Sequence, residues 1–184
     1  MIQGIRSKQK GFTITELMLV LGVAAVIIGG AFIGYKNVSA SNTAQQNQSS
    51  TTNLVVGVKT KWQGIGSYAA VTPSAVNDAK LLAKPLTWDS GTTTIRNAYD
   101  KTIGFAGAAS HFVAQVDVPA DQCLETIGSL DGIAYRIDVH TAARAAADAE
   151  HATYTVKAAS GSIDSAKANT QCGGATTVVT AYVK

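Results

Sequence analysis

The chain has 184 residues, with 15 Lys plus Arg against 12 Asp plus Glu and a formal net charge of +3. Arg6, Lys8 and Lys10 account for that excess, so residues 12–184 are neutral overall, which argues against a nucleic-acid-binding body with a counterion-releasing basic face. Only 15% of residues are charged while 46% are hydrophobic, a composition that can build a core and excludes collagen, coiled-coil and disulfide-dense scaffolds.

Residues 17–35 form a run of 19 without a charge. As a helix such a run spans roughly 28 Å, about the hydrocarbon thickness of a bilayer. The basic residues before it keep the N-terminus cytoplasmic by the positive-inside rule, and Lys36 at the far end can snorkel to the interface. Three plainer readings compete: a buried core helix, a simple membrane anchor, and a secretory signal peptide cut after Val38-Ser39-Ala40. Four glycines speak against the first. The length of the run and Lys36 beside the cut speak against the last.

Residues 10–20 read Lys-Gly-Phe-Thr-Ile-Thr-Glu-Leu-Met-Leu-Val. A Gly11-Phe12 junction follows the basic leader, and a lone carboxylate, Glu16, stands fifth counting from Phe12 at the head of the apolar run. A carboxylate at a membrane boundary is costly unless paired or functional. The arrangement resembles the class III signal of type IV prepilins. The resemblance implies that a prepilin peptidase cuts between Gly11 and Phe12 on the cytoplasmic side, methylates the new Phe12 amine, and leaves the apolar helix in place. It also implies that, when these helices are buried together in a fibre, Glu16 of one subunit neutralises the Phe12 ammonium of a neighbour, since an unpaired buried charge costs several kcal/mol. The plainer role for Glu16 is to favour the dipole of its own helix.

Residues 39–53 are polar but uncharged and carry no Pro or Gly; apolar residues then resume at Leu54, Val55, Val58, Trp62 and Ile65 with helical spacing. The pattern predicts one long helix over about residues 13–65, its second half laying a stripe against a globular body, with Gly64 and Gly66 ending it. Residues 67–110 read as a loop-rich connector with one short helix capped by Ser74, and Gly104-Phe-Ala-Gly107 as loop punctuation. Strands are predicted over 111–118, 133–139, 153–157 and 176–183. On the second of these, Arg136 and Asp138 face away from the apolar side. Asp121 is expected to cap a short helix bearing Cys123, Leu124 and Ile127, and residues 141–150 to form an Ala-rich surface helix. The fold class is α+β: a long N-terminal helix packed on an antiparallel sheet.

Tyr35-Lys-Asn-Val-Ser-Ala-Ser, Gln63-Gly-Ile-Gly-Ser-Tyr68, Asn97-Ala-Tyr-Asp100 and Asp121-Gln-Cys123 extend the resemblance over essentially the whole chain, towards the type IVb bundle-forming and conjugative-plasmid pilins. Phe12 as first mature residue is commoner in the type IVa branch. Cys123 and Cys172 both lie beyond the apolar run, in what should be an oxidising compartment. A bridge would close a loop of about 50 residues, worth roughly 4 kcal/mol; two free buried thiols are the alternative. In type IV pilins such a bridge bounds the exposed, variable D-region, so the resemblance implies a D-region at 123–172. The expected organisation is a cleaved leader at 1–11, a membrane or fibre-core helix at 12–36, its amphipathic continuation at 37–66 and an α+β domain at 67–184.

His111, His140 and His151 lack metal-ligand spacing, and the first two, at strand ends, read as solvated. Asp117 with Asp121 and Asp148 with Glu150 read as solvated carboxylates. No phosphate loop or nucleophile elbow is present in the sequence. No enzyme activity, cofactor or metal is expected. The leading reading is the structural subunit, a major pilin, of an extracellular fibre used for adhesion, cell aggregation or conjugative mating. Its partners would be its own copies, the prepilin peptidase and the inner-membrane assembly machinery, with no specific nucleic acid. It would sit in the inner membrane before assembly and in the fibre afterwards. A pseudopilin of a type II secretion system, or a minor pilin acting as tip adhesin, are the alternatives.

Overall fold

Helix α1, Ile14–Gln63, runs for 50 residues in the computed structural model. The structure describes residues 12–140, 154–159, 161–174 and 177–184. The chain divides into two units, Met1–Asn42 and Thr43–Lys184. Gly64 and Gly66 follow α1 as expected: Gly66 takes a left-handed φ of +79°, and its N–H reaches back to the carbonyls of Trp62 and Gln63. The apolar stripe is shorter than its sequence pattern. Leu54, Val55, Val58 and Trp62 are buried, but Ile65 lies past the helix end and is exposed.

After α1 comes α2, Pro73–Asp78. Its cap is Thr72, whose hydroxyl accepts from the Ala75 N–H, and not Ser74. Pro73 explains the shift: its fixed φ suits the first helical position, which moves the cap one residue before it. The expected connector then contains three strands, β1 Thr87–Asp89, β2 Thr94–Arg96 and β3 Thr102–Gly107. The Gly104-to-Gly107 stretch lies within β3 rather than in a loop. At Gly107 a side chain would meet the Tyr68 carbonyl oxygen, so the glycine lets the Tyr68–Val71 turn press on the strand end.

Strand β4, Phe112–Val118, follows the predicted alternation. A short 3₁₀ turn, Ala120–Gln122, leads into α3, Cys123–Asp131. Asp121 lies inside that turn and caps nothing; Pro119 precedes the turn and Gln122 precedes α3, neither with a side-chain cap. Cys123 and Ile127 are buried, whereas Leu124 is exposed. Strand β5 is Arg136–His140 and β6 is Thr155–Lys157. Helix α4, Ser165–Cys172, has no counterpart in the sequence reading; Asp164 caps it by accepting from the Lys167 N–H. Strand β7 is Thr177–Val183. The expected helix at 141–150 lies outside the described residues.

Among the described residues seven strands form one antiparallel sheet in the order β1-β2-β3-β4-β7-β5-β6. One face joins α1 from Leu54 to Trp62 in a core with Ile95, Ile103, Phe112, Val116, Ile137, Val179 and Ala181. This is the expected α+β architecture, a long helix on an antiparallel sheet.

The second face corrects the expectation that His140 is solvated: it is buried, together with Arg136 and Asp138. Arg136 grips Asp138 with Nε and Nη2, its guanidinium lies 4.0 Å from the Tyr182 ring centroid, and Thr155 Oγ1 donates to Asp138 Oδ1 at 2.8 Å. His140 Nε2 is 2.8 Å from Thr180 Oγ1. Period-two alternation separates the two faces of a strand, but does not by itself say that the polar one meets water.

Candidate functional site

The first turn of α1 is set by Thr13-Ile-Thr-Glu16. The Glu16 N–H donates to Thr13 Oγ1 at 3.3 Å, and the Leu17 N–H to the Thr13 carbonyl at 3.1 Å. Thr13 is therefore the N-cap. The Thr-x-x-Glu spacing is that of a capping box, a signal the sequence itself carries. Glu16 sits in the first turn, where a carboxylate gains about 0.3–1 kcal/mol from the helix dipole.

From Phe12 to Val38 every large apolar side chain is exposed. By length and composition this helix can cross a membrane. Glu16 is the one formal charge in residues 12–35. Lys36 folds back over the Phe32 ring, 4.9 Å from its centroid. A Cβ added at Gly22, Gly29, Gly30 or Gly34 would meet nothing within 4 Å. Among the described residues no contact thus demands glycine there, and the small surface is open to a neighbouring helix.

Cys123, the first residue of α3, and Cys172, the last of α4, are joined by a disulfide with Cα atoms 5.6 Å apart. The bridge ties together two short helices through cysteines 49 residues apart in sequence. Lys157 of β6 supports α3 from its other end, its Nζ 2.7 Å from Asp131 Oδ1 and 2.9 Å from the Ala134 carbonyl. Of the other residues weighed from sequence, His111 packs its ring against Tyr135 and Tyr182, Asp117 is half-buried and Asp121 exposed. Gly11, Asp148, Glu150 and His151 lie outside the described residues. Among the described residues no group of three or more His, Cys, Asp or Glu side chains could hold a metal ion.

Residues 6–32 match the family model of the prokaryotic N-terminal methylation motif. The chain also superposes on TcpA, a type IV pilin from Vibrio cholerae El Tor biotype, with a TM-score of 0.53 at 14% identity, covering 76% of this chain and 99% of TcpA. The fold is that of a type IV pilin. At that identity the pilin likeness is one of fold, and it carries no residue's role across. No curated protein sequence matches the chain. The pilin fold and the methylation motif meet on α1, because the motif ends at residue 32 within the helix whose later turns, Leu54 to Trp62, enter the core.

Proposed function

We propose that the chain is the repeating structural subunit, the major pilin, of a type IV pilus. In this reading residues 1–11 are a leader removed by a prepilin peptidase between Gly11 and Phe12, and the Phe12 amine is then methylated. Residues 12–36 hold the subunit in the inner membrane, and residues 37–66 continue the helix into the 67–184 domain, with the disulfide bounding a D-region at 123–172. Assembly machinery then draws subunits into an extracellular helical fibre used for adhesion, cell aggregation or conjugative mating. The observation that carries the reading is the head of α1: one carboxylate, in the first helical turn, on an otherwise uncharged and wholly exposed apolar segment inside the methylation motif.

The physical chemistry of transfer follows from that segment. Lipid tails are as apolar as Leu or Ile, so moving α1 from bilayer to fibre gains no hydrophobic free energy. Close packing at Gly22, Gly29, Gly30 and Gly34 and neutralisation of charge are what remain to favour the fibre. The Phe12 ammonium, solvated by headgroups in the membrane, would enter an apolar interior, where Glu16 of a neighbour is the carboxylate able to meet it.

Electron microscopy of producing cells, with and without the chain, tests the reading, together with the intact mass of the processed subunit. Abundant fibres that vanish on deletion, and a mature chain starting at methylated Phe12, are expected. A mature chain starting at Ser41, or unchanged fibres after deletion, overturns it.

A further inference from the structure

Strands β4 and β7 pair along their whole length, from Phe112 opposite Val183 to Val118 opposite Thr177. The disulfide stands at the Val118–Thr177 end of that ladder. Cys123 comes five residues after Val118, and Cys172 five residues before Thr177. Along the backbone the paired residues Val118 and Thr177 are 59 positions apart; through the bridge they are ten residues and one S–S bond apart. The bridge is no surface clip. Cys123 is fully buried and Cys172 is 6% exposed, both in the core that also holds Val116, Val118 and Val179.

The pairings on the other side of β4 are local. Strands β1 to β4 follow one another as antiparallel neighbours, joined by connections of four or five residues. Strand β7 has to find β4 across the 59-residue separation, and the entropy of closing that loop is lost before any contact repays it. Closure probability falls roughly as the 3/2 power of loop length, so cutting the path to about 11 residues raises the chance of encounter about tenfold.

We propose that the bridge is a staple for docking β7. In the chain with its disulfide intact, the β4–β7 ladder closes from the Val118–Thr177 end towards the Phe112–Val183 end, and this closure sets the folding rate. A bridge that served only to hold the finished fold would slow unfolding and leave the folding rate alone. The staple concerns how the domain folds, and is independent of what the folded subunit builds.

Stopped-flow refolding and unfolding of the full chain in detergent micelles test it, followed by the fluorescence of Trp62 and Trp88, both packed in the core. Reducing the bridge, which keeps both sulfurs in place, should slow folding about tenfold and change the unfolding rate by less than about threefold. With the bridge intact, Val118→Ala at its end of the ladder should act mainly on folding, with a φ-value above about 0.5. Val113→Ala at the far end should act mainly on unfolding, with a φ-value below about 0.3. Both valines are buried, so each truncation is large enough to read. A reduced chain that folds at the parent rate and only unfolds faster overturns the proposal. A φ-value at Val113 equal to or above that at Val118 overturns it as well. If the reduced chain does not refold, the two valine variants decide alone, because they keep the bridge.

Discussion

Arg136 and Asp138 stand two residues apart on the same face of β5, both buried, and the guanidinium holds the carboxylate with two nitrogens while lying over the Tyr182 ring. A buried pair of this kind adds little net stability over an apolar substitute, but losing one partner strands the other. Asp138→Ala should therefore destabilise the domain by about 3–5 kcal/mol. Arg136→Met with Asp138→Leu should lose far less. Urea unfolding of the purified chain, followed by circular dichroism, separates the two outcomes; equal losses for single and double variants would contradict this account of the pair.

Cys172→Ser should destabilise the domain by about 2–5 kcal/mol, because the open chain regains the freedom of a long loop. The same urea titration, run with and without reductant on the parent, provides the comparison. Reduced parent and variant should unfold at the same lower midpoint. Subunit abundance in cells should fall with it.

Glu16→Ala should block fibre assembly while leaving processing and membrane insertion intact. Glu16→Asp, which keeps the charge and shortens the reach, should be partly tolerated, and Glu16→Gln should resemble Ala. Sheared-fibre yield against processed subunit reads the effect. The lost pairing is worth about 3–5 kcal/mol for a fully buried ammonium and repeats at each subunit, whereas loss of the dipole interaction alone is worth about 0.3–1 kcal/mol and should leave the yield nearly unchanged.

Among the described residues, Asp89 is a carboxylate whose surroundings clearly favour its charged form. A hydrogen bond from the Thr92 side chain, then one from Arg96, hold its carboxyl below the ordinary aspartate value of 3.8. A lowered folded pKa means stabilisation present above 3.8 and lost as pH falls through the folded value. Asp89→Asn should thus lower the melting temperature slightly at neutral pH, and the difference from the parent should close in strong acid. Because Asp89 is solvent-screened the effect is small, and a difference that persists unchanged at low pH would assign it to lost hydrogen bonding instead.

The sequence was most legible where one physical demand dominated. Nineteen uncharged residues behind three cations, with a single carboxylate at their head, admit few structures, and α1 follows to within two residues at either end. The disulfide partners were legible because there are only two cysteines. Strands β1 and β2 were not, for each is three residues long and too short to show alternation. Strand β3 hid behind two glycines that favour turns elsewhere but here relieve crowding. Helix α4, built of Ser, Ala, Asn, Thr and Gln, shows little apolar stripe, although Asp164 three residues before Lys167 was a cap in plain view. At the candidate site, Thr13 was readable as a cap from its spacing to Glu16.

Strand β7 pairs with β4 on one side and β5 on the other, yet it follows every other strand in sequence. Until Thr177–Val183 has been delivered, the sheet exists as two separate pieces, β1 to β4 and β5 with β6, each with an unsatisfied edge. Closure of the sheet is therefore a late event in the folding of the domain: a chain interrupted before β7 lacks the strand that joins the two pieces. The central position of that strand acts as a completeness check, because a chain interrupted before it cannot link β4 to β5.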